Sequence, residues 1–150
     1  MDTFHLERFV QAQEGVYPHA LREMVNGEKG SHWIWFIFPQ LKALGKSGTA
    51  IRFGITGLPE ARAYLAHPVL GPRLLEITKA VVSHRDKTAK EIFNSAVMGP
   101  IDAKKFHSSM TLFREAAPEE PIFDEALKLF YKGKPDGYTL SLLKGDGGNL

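Results

Sequence analysis

The 150-residue chain contains no cysteine. That excludes disulfides, thiolate metal sites and cysteine nucleophiles, and it suits a cytoplasmic location. Neither sign of charge dominates: 19 Lys and Arg stand against 17 Asp and Glu, a formal net charge of +2. The basic residues are spread along the chain with no concentrated stripe, so charge alone does not point to nucleic acid. Long hydrophobic runs are also missing. The longest, Trp33 to Phe38, falls far short of the roughly 20 residues that span a bilayer, so no membrane association is expected. The start, Met-Asp-Thr-Phe-His, lacks the basic and apolar regions of a signal peptide.

Known catalytic patterns are absent as well. There is no phosphate-binding glycine loop ending in Lys-Ser/Thr, no G-x-S-x-G elbow, no H-E-x-x-H and no calcium loop. The six histidines (His5, His19, His32, His67, His84, His107) are scattered, and no pair has the i, i+4 spacing of a helical metal site. Neither a metal nor a cofactor is expected. Strong strand signals are missing too, which leaves an all-α class.

What is present is ordinary for a folded protein: 43% hydrophobic and 24% charged residues. The reading is a single compact domain of residues 1–144, about eight to ten mostly short helices around a central aromatic segment. Residues 145–150, rich in glycine, read as a flexible tail. Asp2 or Thr3 can cap a first helix with Leu6, Phe9, Val10 and Gln13 on one face and Gly15 as its stop. Pro18 suits the first turn of a second helix that ends at Gly27. A short helix is expected near Thr49 to Phe53, and another opening at Pro59. Pro68 and Pro72 mark the approach to the clearest helix, on which Leu70, Leu74, Ile77 and Val81 share a face. Thr88-Ala89-Lys90-Glu91 has capping-box spacing. Gly99-Pro100 is a break before a helix from Asp102 to Ala116. Pro118 and Pro121 precede another helix, and Asp136 to Leu143 suits a last short one.

The central segment, Ser31 to Gln40, holds both tryptophans and is apolar on every side between Trp33 and Phe38. It must be buried, and periodicity does not choose between helix and strand over so short a run. His32 at its head reads either as a core histidine or as a catalytic group. Trp33 and Trp35 read as core or as a stacking wall for a planar ligand, with Gln40 as a polar contact at the rim. His67 and Arg73 flank a helix start, where backbone donors and an arginine favour an anion. On the Asp102 helix, Asp102, Phe106, Ser109 and Phe113 fall within a narrow arc at about 100° per residue. A carboxylate and a hydroxyl on a buried face require partners. Asp102 is either a cap or a general acid/base. Lys105, Ser108 and Ser109 with it would line a pocket floor, or Ser109 bonds its own helix backbone.

Taken together, His32-Trp33-Ile34-Trp35-Phe36-Ile37-Phe38-Pro39-Gln40, then Ala63 to Leu74 with its His67-Pro68-Val69-Leu70-Gly71-Pro72-Arg73 core, then Asp102-Ala103-Lys104-Lys105-Phe106-His107-Ser108-Ser109-Met110-Thr111-Leu112-Phe113 resemble the DUF1810 family of bacterial proteins. The resemblance runs from about Phe9 to Leu143. It implies a single, mainly α-helical domain and supplies no function. Some members carry the label calpastatin, but nothing in these residues explains a calpain inhibitor. Arg52-Phe53-Gly54-Ile55 is similar to a short Arg-Tyr-Ala/Gly-Ile element of the family, with phenylalanine for tyrosine. The functional expectation is a polar pocket between the aromatic segment and the Asp102 helix that binds a small nucleotide-like or anionic ligand. An N-glycosidic or ADP-ribosyl linkage is the reaction it would serve, with Asp102 as the carboxylate. The alternative is a non-enzymatic protein-interaction or scaffold module, in which all these residues are core and caps.

Overall fold

Asp2 starts the first helix: its carboxylate accepts from the Leu6 and Glu7 amides at 2.6 and 2.9 Å, and α1 follows as Glu7–Gln13. The computed structural model describes residues 2–93 and 101–148, with side chains as far as residue 145. Helix α2 (Tyr17–Asn26) carries Pro18 in its first turn and stops at Gly27. Gly27 has φ +79°, a left-handed conformation that glycine adopts without strain. The aromatic segment resolves into a single helical turn, α3 (Ile34–Ile37). A 3-10 turn (Lys42–Leu44) and α4 (Gly48–Arg52) follow, with the Ser47 hydroxyl capping α4 through the Ala50 amide.

Helix α5 (Leu58–Ala66) leads into α6 (Leu70–Val82), whose Leu70, Leu74, Ile77 and Val81 are buried. Pro72 lies inside the first turn of α6 rather than before it, where its missing N–H leaves no helical bond unmade. Helix α7 (Ala89–Phe93) opens on a reciprocal capping box. The Thr88 amide donates to Glu91 at 2.8 Å, and the Glu91 amide to the Thr88 hydroxyl at 3.1 Å. The expected break at Gly99-Pro100 lies outside the described residues. The last three helices are α8 (Ile101–Ala116), α9 (Pro121–Tyr131) and α10 (Gly137–Gly148). Asp136 caps α10 by accepting from the Thr139 amide and hydroxyl. Helical backbone then continues through Gly148, where glycine content alone suggests a tail. A capped start lowers the cost of extending a helix over weak formers.

Among the described residues there are ten α-helices and no strand; Leu41 and Ile55 meet only as an isolated parallel bridge. Helix α8 occupies the centre, packed by α3, α5, α7, α9 and α10, while α6 closes the other side against α2, α5 and α9. Surrounded in this way, α8 buries residues on most of its circumference, including Ala103, Phe106, Met110, Leu112 and Phe113. Phe106 is fully buried, stacked on Phe93 at 4.4 Å and met edge-on by Phe38 at 5.0 Å. Such aromatic pairs add about 1 kcal/mol each beyond area burial. The aromatic segment therefore packs into the middle of the molecule against α8.

Candidate functional site

The α3–α8 seam is held by ionic groups drawn from three separate parts of the chain. Asp102, in the first turn of α8, is buried and sits 2.7 Å from the Lys29 ammonium, which has no side-chain exposure. Lys29 also donates to the Ser31 carbonyl and lies over the Trp33 ring at 4.7 Å. Its own amide donates to the Ile92 carbonyl at 2.7 Å. Burying a lysine demands a countercharge, and Asp102 supplies it. Asp102 is thus neither a free carboxylate nor a simple helix cap.

Glu23 of α2 organises the entry to the segment. Its carboxylate accepts from the Gly30 and Ser31 amides, the Ser31 hydroxyl at 2.6 Å and the Trp33 indole at 2.8 Å. His19 lies 2.9 Å from the same carboxylate. Burial works against the charge, but these hydrogen bonds and His19 outweigh it and hold the Glu23 carboxyl below its ordinary range. Trp33 is fully buried, covered by Lys29 and tilted against Phe38, so it is not an exposed stacking wall. His32, one residue earlier, is exposed. The segment turns its histidine outward and its first tryptophan inward.

Trp35 is different. It is half-buried, the Lys105 ammonium lies 5.0 Å from its ring, and its indole N–H is buried without a hydrogen-bond partner among the described residues. The Ser109 hydroxyl, one turn along α8 from Lys105, is fully buried and likewise without a partner there; the back-bond to its own helix is not made. Among the described residues Lys105 forms no direct ion pair. Burial lowers its pKa, Asp102 opposes that and Lys29 adds to it.

The other expected site residues have structural duties elsewhere. Ser108 points away from Ser109, donating toward the Lys104 carbonyl and Asp136. The His67 ring accepts through Nδ1 from the Val69 and Leu70 amides, so the helix-start donors that suggested an anion are satisfied by the protein itself. Arg73 reaches back to Gln13 at 3.2 Å and lies over the Tyr17 ring. The Gln13 amide in turn donates to the Phe36 carbonyl and the Tyr64 hydroxyl. This network explains why a glutamine sits on the apolar face of α1. Gln40 accepts through its backbone from Ile55 at the isolated bridge. Lys29 and Glu23 carry no signal in the sequence, because a lysine in Glu-Lys-Gly and a glutamate on an amphipathic helix both look solvated. Among the described residues no cluster of side chains could hold a metal ion, and no helix is long and apolar enough to cross a membrane.

With this geometry in hand, a comparison against family models matches residues 3–143 to one described as "Protein of unknown function (DUF1810)". The chain belongs to the DUF1810 family. A solved structure, the conserved hypothetical protein Rv1873 from Mycobacterium tuberculosis, is similar to it. The two are 45% identical over 95% of this chain and 98% of the other, with a TM-score of 0.90. No curated protein matches this DUF1810 chain. Two of the segments that carry the DUF1810 resemblance, the aromatic segment and α8, meet at the seam described above. The third, Ala63 to Leu74, forms the α5–α6 junction.

Proposed function

We propose that the protein binds a small anionic, nucleotide-like ligand at the seam between the aromatic segment and α8. The observation that carries this reading is the surplus of donors there. Among the described residues the Trp35 indole N–H and the Ser109 hydroxyl are buried without acceptors, and the Lys105 ammonium, 5.0 Å from the Trp35 ring, forms no direct ion pair. A buried donor left unsatisfied costs about 1–3 kcal/mol, and an acceptor-rich ligand would recover it. The Lys29–Asp102 pair lies under this seam as its support. Chemistry at an N-glycosidic or ADP-ribosyl linkage would require Asp102 to leave Lys29, so the geometry supports binding ahead of turnover. The cavities that open among Leu58, Glu115 and α10, and beside Arg62 and Ala117, lie elsewhere.

Trp33 and Trp35 are the chain's two tryptophans, so indole fluorescence reports this region directly. Titration with nucleotides, ADP-ribose, sugar phosphates and carboxylates is expected to change the emission. The change should be lost in Trp35→Phe and weakened about tenfold in Lys105→Ala. A flat response to the whole panel at millimolar concentration would sink the reading. It would favour an interaction module instead, which the structural duties of His67, Arg73 and Ser108 already suit.

A further inference from the structure

A second group of cations lies away from the α3–α8 seam. The N-terminal segment faces the 3-10 turn and the end of α4 across an open cavity of about 410 Å³, lined among others by Thr3, His5, Arg8, Lys42, Arg52 and Glu60. Arg8 forms its floor. The guanidinium donates to the Phe4, His5, Arg52 and Gly54 carbonyls and to Glu60, at 2.7 to 2.9 Å. Glu60 is 1% exposed and also accepts from the Thr56 amide and hydroxyl, so Arg8 and Glu60 neutralise each other. Asp2, the other carboxylate near His5, is turned to the α1 amides.

Lys42 and Arg52 therefore remain as exposed cations on the cavity wall, with no ion pair among the described residues. Arg52 is packed through its side chain and Lys42 is fixed through its backbone. Arg52 lies 5.2 Å from the Phe53 ring centroid, and the Lys42 amide donates to the Ile55 carbonyl at 2.8 Å. At Gly54 a Cβ would come within 2.3 Å of the Lys42 Cα, so glycine alone permits this approach. On the opposite wall His5 adopts φ +57°, a conformation non-glycine residues rarely take, fixed by the hydrogen bond its amide donates to the Asp2 carbonyl and by the one Arg8 donates to its own carbonyl.

We propose that this cavity is a binding site for a phosphate group, free or as a phosphomonoester, held by the Arg52 guanidinium and the Lys42 ammonium, with the Thr3 hydroxyl and His5 ring at the rim. Two uncompensated cations match a dianion, and a planar guanidinium fork can engage two phosphate oxygens at once. A carboxylate would leave one cation unmatched.

The test is an amide chemical-shift titration of the full chain with inorganic phosphate, ribose 5-phosphate and acetate at equal ionic strength. Phosphate is expected to shift the Thr3, His5 and Gly54 amides saturably. Binding should weaken about tenfold in Arg52→Ala and further in the Lys42→Ala/Arg52→Ala double variant, both at exposed positions. Lys105→Ala should leave it unchanged, which separates this site from the seam. Equal affinity for the two phosphates would mean that the free anion suffices, and tighter ribose 5-phosphate binding that an ester is preferred. Absent shifts, equal shifts with acetate, or a double variant that binds as the parent does would overturn the proposal.

Discussion

Asp102 shows how a single contact changes what a substitution tests. As a free pocket carboxylate, Asp102→Asn would abolish binding with little loss of stability. Its position 2.7 Å from a fully buried lysine alters that expectation. Removing the countercharge is expected to cost about 3 kcal/mol, seen as a lower urea midpoint at unchanged slope. Replacing both partners with apolar residues, Lys29→Met with Asp102→Leu, should recover most of that loss, because no buried charge then remains. If Asp102→Asn is as stable as the parent, the ion pair does not have the structural role assigned to it. Glu23 carries a related expectation with a pH axis. Its folded carboxyl lies below the ordinary value of 4.5 because Ser31, Gly30, Trp33 and His19 outweigh the burial that opposes them. A lowered carboxyl contributes stability that is fully present above the unfolded pKa and is lost as pH falls through the folded one. Stability should therefore decline from about pH 5 downward, with Trp33 emission changing in step. In Glu23→Gln the decline over that range should be shallower, and an unchanged profile would count against the role.

At the scale of elements, helix ends were the most legible feature of the chain. The Asp2 start, the Gly27 stop, the Thr88–Glu91 box and the buried stripe Leu70, Leu74, Ile77 and Val81 all follow from local chemistry, and all are present. Packing between elements is not local, and Gly71 marks where it dominates. It stands at the α5–α6 junction, and a Cβ there would lie 2.0 Å from the Leu65 carbonyl oxygen. Gly71→Ala gains about 1 kcal/mol in helix propensity, but a clash with backbone oxygen must separate the two helices. Net destabilisation of about 2 kcal/mol is expected, read from thermal or urea unfolding. Gly48→Ala in α4 is the control. Nothing lies within 4 Å of its Cβ position, so it should be neutral or slightly stabilising. Equal effects from the two substitutions would refute the close-approach account.

At the scale of the whole molecule, composition and periodicity were enough to settle an all-helical protein built around an aromatic segment, because both are carried by residues close together in sequence. The lack of cysteine, of strand alternation and of a long apolar run left few other classes open. The choice between helix and strand for Ile34 to Ile37 needed neighbours, since a run that is apolar on every side has no period to read. The centrality of α8 was hidden for a similar reason. Beyond the narrow arc of Asp102, Phe106, Ser109 and Phe113, burial of residues such as Thr111 and Leu112 has no local signal and follows only from the helices packed around α8. Partnerships across the chain were decided by tertiary structure alone: Lys29 with Asp102, Arg8 with Glu60, and Gln13 with Tyr64 and Arg73. A charged or amide side chain looks solvated in sequence whether it ends in water or in the core. Only the fold brings its partner within hydrogen-bond distance, and only the fold leaves the Trp35 indole N–H and the Ser109 hydroxyl without one among the described residues.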